Sequence, residues 1–277
     1  MTLLGIALGL LSAAVFGVAA VVQAQAVRGL EGTPDGLWGF VTASVRDVRT
    51  MLVVAAYLVG FVLHAAAIWL LPLYLAQAMV AMSLPVTAVA SRRVEDDLHP
   101  SGWAAVAVVT LGLVLLSLGA GEPGDVVTDT TFVASLWAAV AALAVASVLV
   151  RRLAGPALGL LAGLGYAGSA ISVRGVGAAV DPVVVVAALA VPAFGLVAFW
   201  LYSLGMHRAA VPSTTAALIV AQTFVPAAVG VALLGDHVRE GWWPGVTVGL
   251  LLSTGGAAVL GASRTRKTRS PASPATR

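Results

Sequence analysis

Cysteine is absent from this chain and charge is scarce. The missing cysteines exclude disulfides, thiolate metal sites and covalent haem attachment. Only 10% of the 277 residues are Asp, Glu, Lys or Arg, whereas a soluble domain carries about a quarter. No polar stretch is long enough to fold as a separate soluble domain. What is present is oil: 60% of the residues are apolar and the mean hydropathy is +1.01. A fold of this length cannot bury that much apolar surface in water, so the excess must face lipid. No Ser-His-Asp set, Gly-rich phosphate loop or zinc-ligand spacing occurs, which argues against an enzyme, and no cofactor or metal is expected.

A membrane-crossing helix needs about 20 apolar residues. Nine such runs occur: Leu3 to Gln25, Met51 to Leu70, Leu71 to Ser91, Gly102 to Ala120, Phe132 to Val150, Leu153 to Val173, Pro182 to Leu204, Ala209 to Leu234 and Trp243 to Leu260. None holds an Asp, Glu, Lys or Arg deep inside, as expected when a charge at mid-span costs about 2.5–3.5 kcal/mol. The first run follows only Met1 and Thr2, without the basic stretch of a signal peptide, and reads as a retained span. The expected fold is therefore all-α: a polytopic bundle of nine spans over residues 1–263, halved into 1–120 and 131–263, with a basic, disordered tail at 264–277.

The charges set an orientation. Fourteen of the fifteen basic residues are arginine. With the tail inside, thirteen basic residues fall on the inner side and two, Arg174 and Arg239, on the outer. The positive-inside rule then places the N-terminus outside and the C-terminus in the cytoplasm. This topology accounts for the basic balance without invoking nucleic acid. The Ala-, Val-, Gly- and Arg-rich composition is that of a GC-rich bacterial genome, and the expected location is a bacterial plasma membrane. Trp38, Val41, Val45 and Val48 recur at helical spacing between the first two spans and read as a short amphipathic helix on the inner interface. Most tryptophans, Trp69, Trp103, Trp200, Trp242 and Trp243 among them, fall near span ends, as in an aromatic belt.

Small residues recur at four-residue steps. Gly5, Gly9, Ala13 and Gly17 mark the first span, Gly155, Gly159, Gly163 and Ala167 the sixth, and Gly245, Gly249 and Ser253 the ninth. Such stripes let membrane helices approach closely, and helix contact is their first reading.

The third and eighth spans share a pattern. Pro85, Glu95 and Trp103 follow Ala76-Gln77; Pro226, Asp236 and Trp243 follow Ala221-Gln222. The two copies run in opposite directions across the bilayer, the mark of inverted transporter repeats. On these residues the chain resembles the EamA-like group of the drug/metabolite transporter superfamily. Nine spans and the string Ala67-Ile68-Trp69-Leu70-Leu71-Pro72 are similar to its NIPA-like magnesium-transporter branch. That branch carries a Gly-Glu pair where this chain has Gly60-Phe61. Magnesium takes hard oxygen ligands, usually with one or two carboxylates, so the missing Glu argues against that cation.

Lacking an intramembrane carboxylate, a polar path must use amides, hydroxyls and imidazole. Gln77 and Gln222 are the first candidates for substrate contact, on the helices that line the cavity in the family the chain resembles. Thr215 lies seven residues from Gln222 and shares its helix face. Tyr166 is a further candidate, whereas Tyr202, near a span end, reads first as an interface anchor. His64 is the candidate for coupling to a proton gradient. The alternative for each is a bond to a neighbouring helix. The expected partners are the lipid bilayer and a small-molecule substrate, and a homodimer is compatible with the pattern. The first function reading is secondary transport of a small metabolite or amphipathic compound; the others are a NIPA-like magnesium carrier and a non-transporting scaffold or accessory subunit.

Overall fold

A computed structural model describes residues 2–29, 39, 42, 47–91, 100–119, 121–124, 128–150, 152–176, 181–209 and 211–265. Most of the expected interfacial helix (Trp38, Val41 and Val45), the Glu95–Asp97 acidic run and nearly all of the basic tail lie outside these residues. Every regular element described is an α-helix: α1 (Thr2–Gly29), α2 (Val48–Leu70), α3 (Leu73–Ala81), α4 (Ser83–Ser91), α5 (Pro100–Leu118), α6 (Thr130–Leu149), α7 (Gly155–Arg174), α8 (Pro182–Arg208), α9 (Val211–Leu233) and α10 (Trp243–Thr265). Helices are the economical choice for such a chain, because each satisfies its own backbone polar groups.

The helix ends follow local chemistry. Asp47, Asp129 and Asp181 cap α2, α6 and α8, accepting from Thr50 N at 2.9 Å, Phe132 N at 2.7 Å and Val183 N at 2.7 Å. The Thr50 hydroxyl and amide hold the Asp47 carboxyl below the usual carboxylate range. The third apolar run is divided into α3 and α4. Pro85 has no N–H for the Ala81 carbonyl four residues back, and the helix turns at Met82 between them.

Six helices, α1, α2, α6, α7, α8 and α9, contain stretches long and apolar enough to cross a membrane. Their outward faces are oily: Leu52, Val62, Leu149 and Leu233 are all exposed. In a bundle of this composition those faces belong to lipid, and the chain is built as a membrane protein. Inside, all nine residues of α3 are buried. Around it α1 packs on α2, α3 and α4; α7, α8 and α9 pack together; α5 pairs with α10; and α3 lies against α9. Trp200 departs from the expected belt, being 4% exposed: its side chain turns into the core of the bundle, while Trp69 and Trp243 are exposed.

The glycine stripes are contact faces. A Cβ on Gly9 would lie 2.9 Å from Met79 Cβ, and one on Gly17 would lie 2.7 Å from the Ser83 carbonyl oxygen. On α7, a Cβ at Gly159 or Gly163 would overlap the Thr214 or Leu218 carbonyl of α9. Gly112 and Gly249 face each other between α5 and α10, where an added Cβ would stand 2.7–2.8 Å from backbone oxygen.

Candidate functional site

A cavity of about 100 Å³ lies between these helices. α2 brings Tyr57, Phe61 and His64 to it; α3 and α4 bring Gln77, Ser83 and Thr87. α7 supplies Tyr166, Ser169 and Ala170, and α8 supplies Tyr202. Thr215 and Gln222 of α9 complete the polar lining, with Phe16 and Ala20 of α1 on the apolar side. All five residues singled out from the sequence, His64, Gln77, Tyr166, Thr215 and Gln222, therefore meet at one place.

Some of the lining is tied. Gln77 Nε2 lies 3.1 Å from His64 Nε2. The amide nitrogen donates, so the imidazole nitrogen accepts and the ring proton resides on Nδ1. That Nδ1 is buried and has no partner. Thr215 donates to the Val211 carbonyl one turn back at 2.7 Å, so the Tyr202 hydroxyl, 2.5 Å from Thr215 Oγ1, is the donor of that pair. Tyr202 is 3% exposed. It lines the cavity rather than anchoring an interface, a correction to the sequence expectation: burial of its hydroxyl is compensated by the Thr215 oxygen.

Other groups are unspent. The Gln222 amide and the Tyr166 hydroxyl line the cavity, and no hydrogen bond ties either to another described residue. Pro226, one turn on, has no N–H to give the Gln222 carbonyl. Thr214 and Thr223, sharing α9, are buried away from the cavity lining.

Sequence reasoning missed three features. Phe16 stacks on Tyr57 with ring centroids 5.7 Å apart, and Phe199 meets Tyr57 edge-on at the same distance. Buried Gln23 accepts from Tyr57 at 2.8 Å and donates to Ser203 at 2.6 Å, joining α2, α1 and α8. The third is an ion pair. Arg174, assigned from sequence to an outer loop, is buried, and Nη2 donates to Asp236 Oδ1 at 2.5 Å. Its Nη1 donates to the Ile68 and Leu71 carbonyls at the end of α2, at 2.6 and 3.2 Å. Asp236 in turn accepts from Leu73 N at the start of α3 (2.6 Å) and from Gly124 N (2.9 Å). The guanidinium thus meets the negative end of one helix dipole and the carboxylate the positive end of the next.

Backbone conformation aims Asp236. Gly235 adopts φ +71, a left-handed turn that favours glycine, and brings Asp236 N to the Gly230 carbonyl at 3.0 Å. Gly230 leaves the room: a Cβ there would stand 2.6 Å from Asp236 Oδ2. Beside the pair, Tyr74 donates to the Gly119 carbonyl at 2.8 Å and accepts from Gly121 N at 3.1 Å.

The described polar lining is made of hydroxyls, two amides and one imidazole. Among the described residues no Asp, Glu, Lys or Arg lines the cavity, and no three His, Cys, Asp or Glu side chains gather as a metal site. No family model, curated protein or solved structure matches the chain.

Proposed function

We propose that the chain is a secondary transporter of a small metabolite or amphipathic compound, working by alternating access around this cavity. The observation that carries the reading is the convergence of polar side chains from six helices on one internal space. Polar groups inside a membrane protein are expensive and concentrate on substrate and ion paths. Gln77 and Gln222 contact substrate, Thr215 and Tyr166 shape the site, and His64 is the coupling group. The magnesium reading receives no support, because the described lining residues offer a hard cation no carboxylate.

Nine crossings in two inverted halves complete the proposal: the inverted halves follow the EamA-like resemblance, the count follows its NIPA-like branch, and the cytoplasmic C-terminus follows the positive-inside rule. Its support is a correspondence of contacts. In the first half the glycine stripe of α1 packs on α3 and α4; in the second the stripe of α7 packs on α9. α1 pairs with α2 as α7 pairs with α8, and the last helices of the halves, α5 and α10, pair with each other. Rocking of one half against the other would then open the cavity to either side.

The test is flux. Proteoliposomes holding the wild-type chain should accumulate or release at least one compound from a radiolabelled panel of small metabolites. Gln77→Ala with Gln222→Ala, inserted to the same level, should abolish it. Full flux in the double variant would remove the proposed site.

A further inference from the structure

The cavity specifies more than a location. A charged solute entering it would leave water for a space whose described lining residues carry no opposite charge. Arg174, one turn from Ala170 of the lining, gives its two Nη groups to Asp236 and two carbonyls. A cation meets no carboxylate among the described lining residues. The Tyr57 ring is stacked on Phe16 and met edge-on by Phe199, and the other lining rings offer a cation–π contact weaker than the hydration a cation gives up. What the wall does offer is neutral hydrogen-bonding capacity: the Tyr166 hydroxyl and an amide at Gln222 that both donates and accepts. Unpaired buried polar groups discriminate strongly for a solute that pairs with them. The volume, about 100 Å³, is below the roughly 150 Å³ of a cavity that binds benzene, so a single ring is the most it admits, and only as the walls give way.

We infer that the site takes compact, uncharged solutes that carry an amide-like donor and acceptor on a single apolar ring. The inference rests on the proposed function for the cavity being a substrate site. Three probes of one shape separate the charge classes: nicotinamide, neutral; nicotinate, an anion; and 1-methylnicotinamide, a cation. Thermal unfolding of the purified full chain should shift upward with nicotinamide in a dose-dependent way, with an apparent affinity at least about tenfold above either charged analogue. Gln222→Leu should lower that affinity by about tenfold. Equal or stronger stabilisation by a charged probe, stabilisation by none of them, or an unchanged response in Gln222→Leu overturns the inference. Counterflow of labelled nicotinamide, measured against protein-free liposomes, reads transport separately. Binding without counterflow supports the ligand class and removes the transport reading. Counterflow of a charged analogue in preference supports transport and removes the ligand class.

The ion pair carries a second inference independently. On three helices it lies one turn beyond the cavity wall: His64 leads to Ile68, Ala170 to Arg174, and Gln77 back to Leu73. Four helical residues span about 6 Å. Arg174 and Asp236 bind the ends of α2 and α3 and the loop after α5, so the cavity cannot open at that end while they are joined. The geometry points to this pair as the gate of that end. The natural absence of cysteine makes the test clean. In Ala170→Cys proteoliposomes, an impermeant maleimide should label more slowly from the face of the pair than from the other face. Adding Arg174→Gln and Asp236→Asn should speed labelling from that face at least about tenfold and leave the other face unchanged. Equal rates from the two faces with the pair intact, or no acceleration without it, overturns the gate.

Discussion

Arg174 and Asp236 are separated by 62 residues in the chain and by 2.5 Å between their charged groups. Both side chains are withdrawn from solvent, at 5% and 0% exposure. Each also satisfies backbone groups at a helix end, so the pair joins α2, α3 and α7 to the segment after α9.

Removing one member leaves the other charge buried and alone. Arg174→Leu or Asp236→Leu alone should therefore cost about 3–5 kcal/mol. The double variant should cost less than the sum, with a coupling of about 1–3 kcal/mol. Denaturant or thermal unfolding of the four proteins of the cycle measures it; simple additivity would show that the two residues act separately.

Gly230→Ala tests the same pair through packing. Its Cβ would press on the Asp236 carboxylate at 2.6 Å and on Leu73 Cβ at 3.1 Å, and overpacking of this kind costs about 1–3 kcal/mol. Gly195→Ala is the control, since nothing lies within 4 Å of the new methyl. Unfolding midpoints should fall for the first and hold or rise for the second.

The α7–α9 seam should be equally intolerant. At Gly159 and Gly163 the obstacle is backbone carbonyl oxygen, which cannot rotate aside as a side chain does. Alanine at either position should destabilise by about 1–3 kcal/mol, read as a lower unfolding midpoint in detergent.

Two tyrosines of the cavity should part company. Tyr202→Phe loses the bond to Thr215 and should cost about 1 kcal/mol of stability. Tyr166→Phe loses no bond to a described residue, so stability should hold within about 0.5 kcal/mol while nicotinamide stabilisation weakens. Unfolding with and without ligand separates the two effects.

The legible part of the molecule was the part where chemistry is out of place. Gln77, Gln222 and His64 stand out because a polar side chain in a long apolar run has to find an internal partner or line a path, and all three meet at the cavity. The run from Leu71 to Ser91 read as one span, because a proline is common inside membrane helices; the break falls at Met82, where the N–H missing at Pro85 is felt one turn back. Arg174 and Asp236 were not legible as a pair. At the ends of apolar runs they look like ordinary loop charges, and only the tertiary fold shows them facing each other. Tyr202 was obscured for the same reason, since a tyrosine near a span end fits a membrane interface as well as an inward-turned wall. Gln23 and Ser203, each near the end of its run, gave no signal that they would meet.

Ala20 lines the cavity and is small, which makes it the place to plug the proposed path. Flux across proteoliposomes should be present for the wild type and lost in Ala20→Phe, with both proteins inserted and folded to the same extent. Equal flux from the plugged protein, or none from the wild type against a full panel of small solutes, would contradict the account.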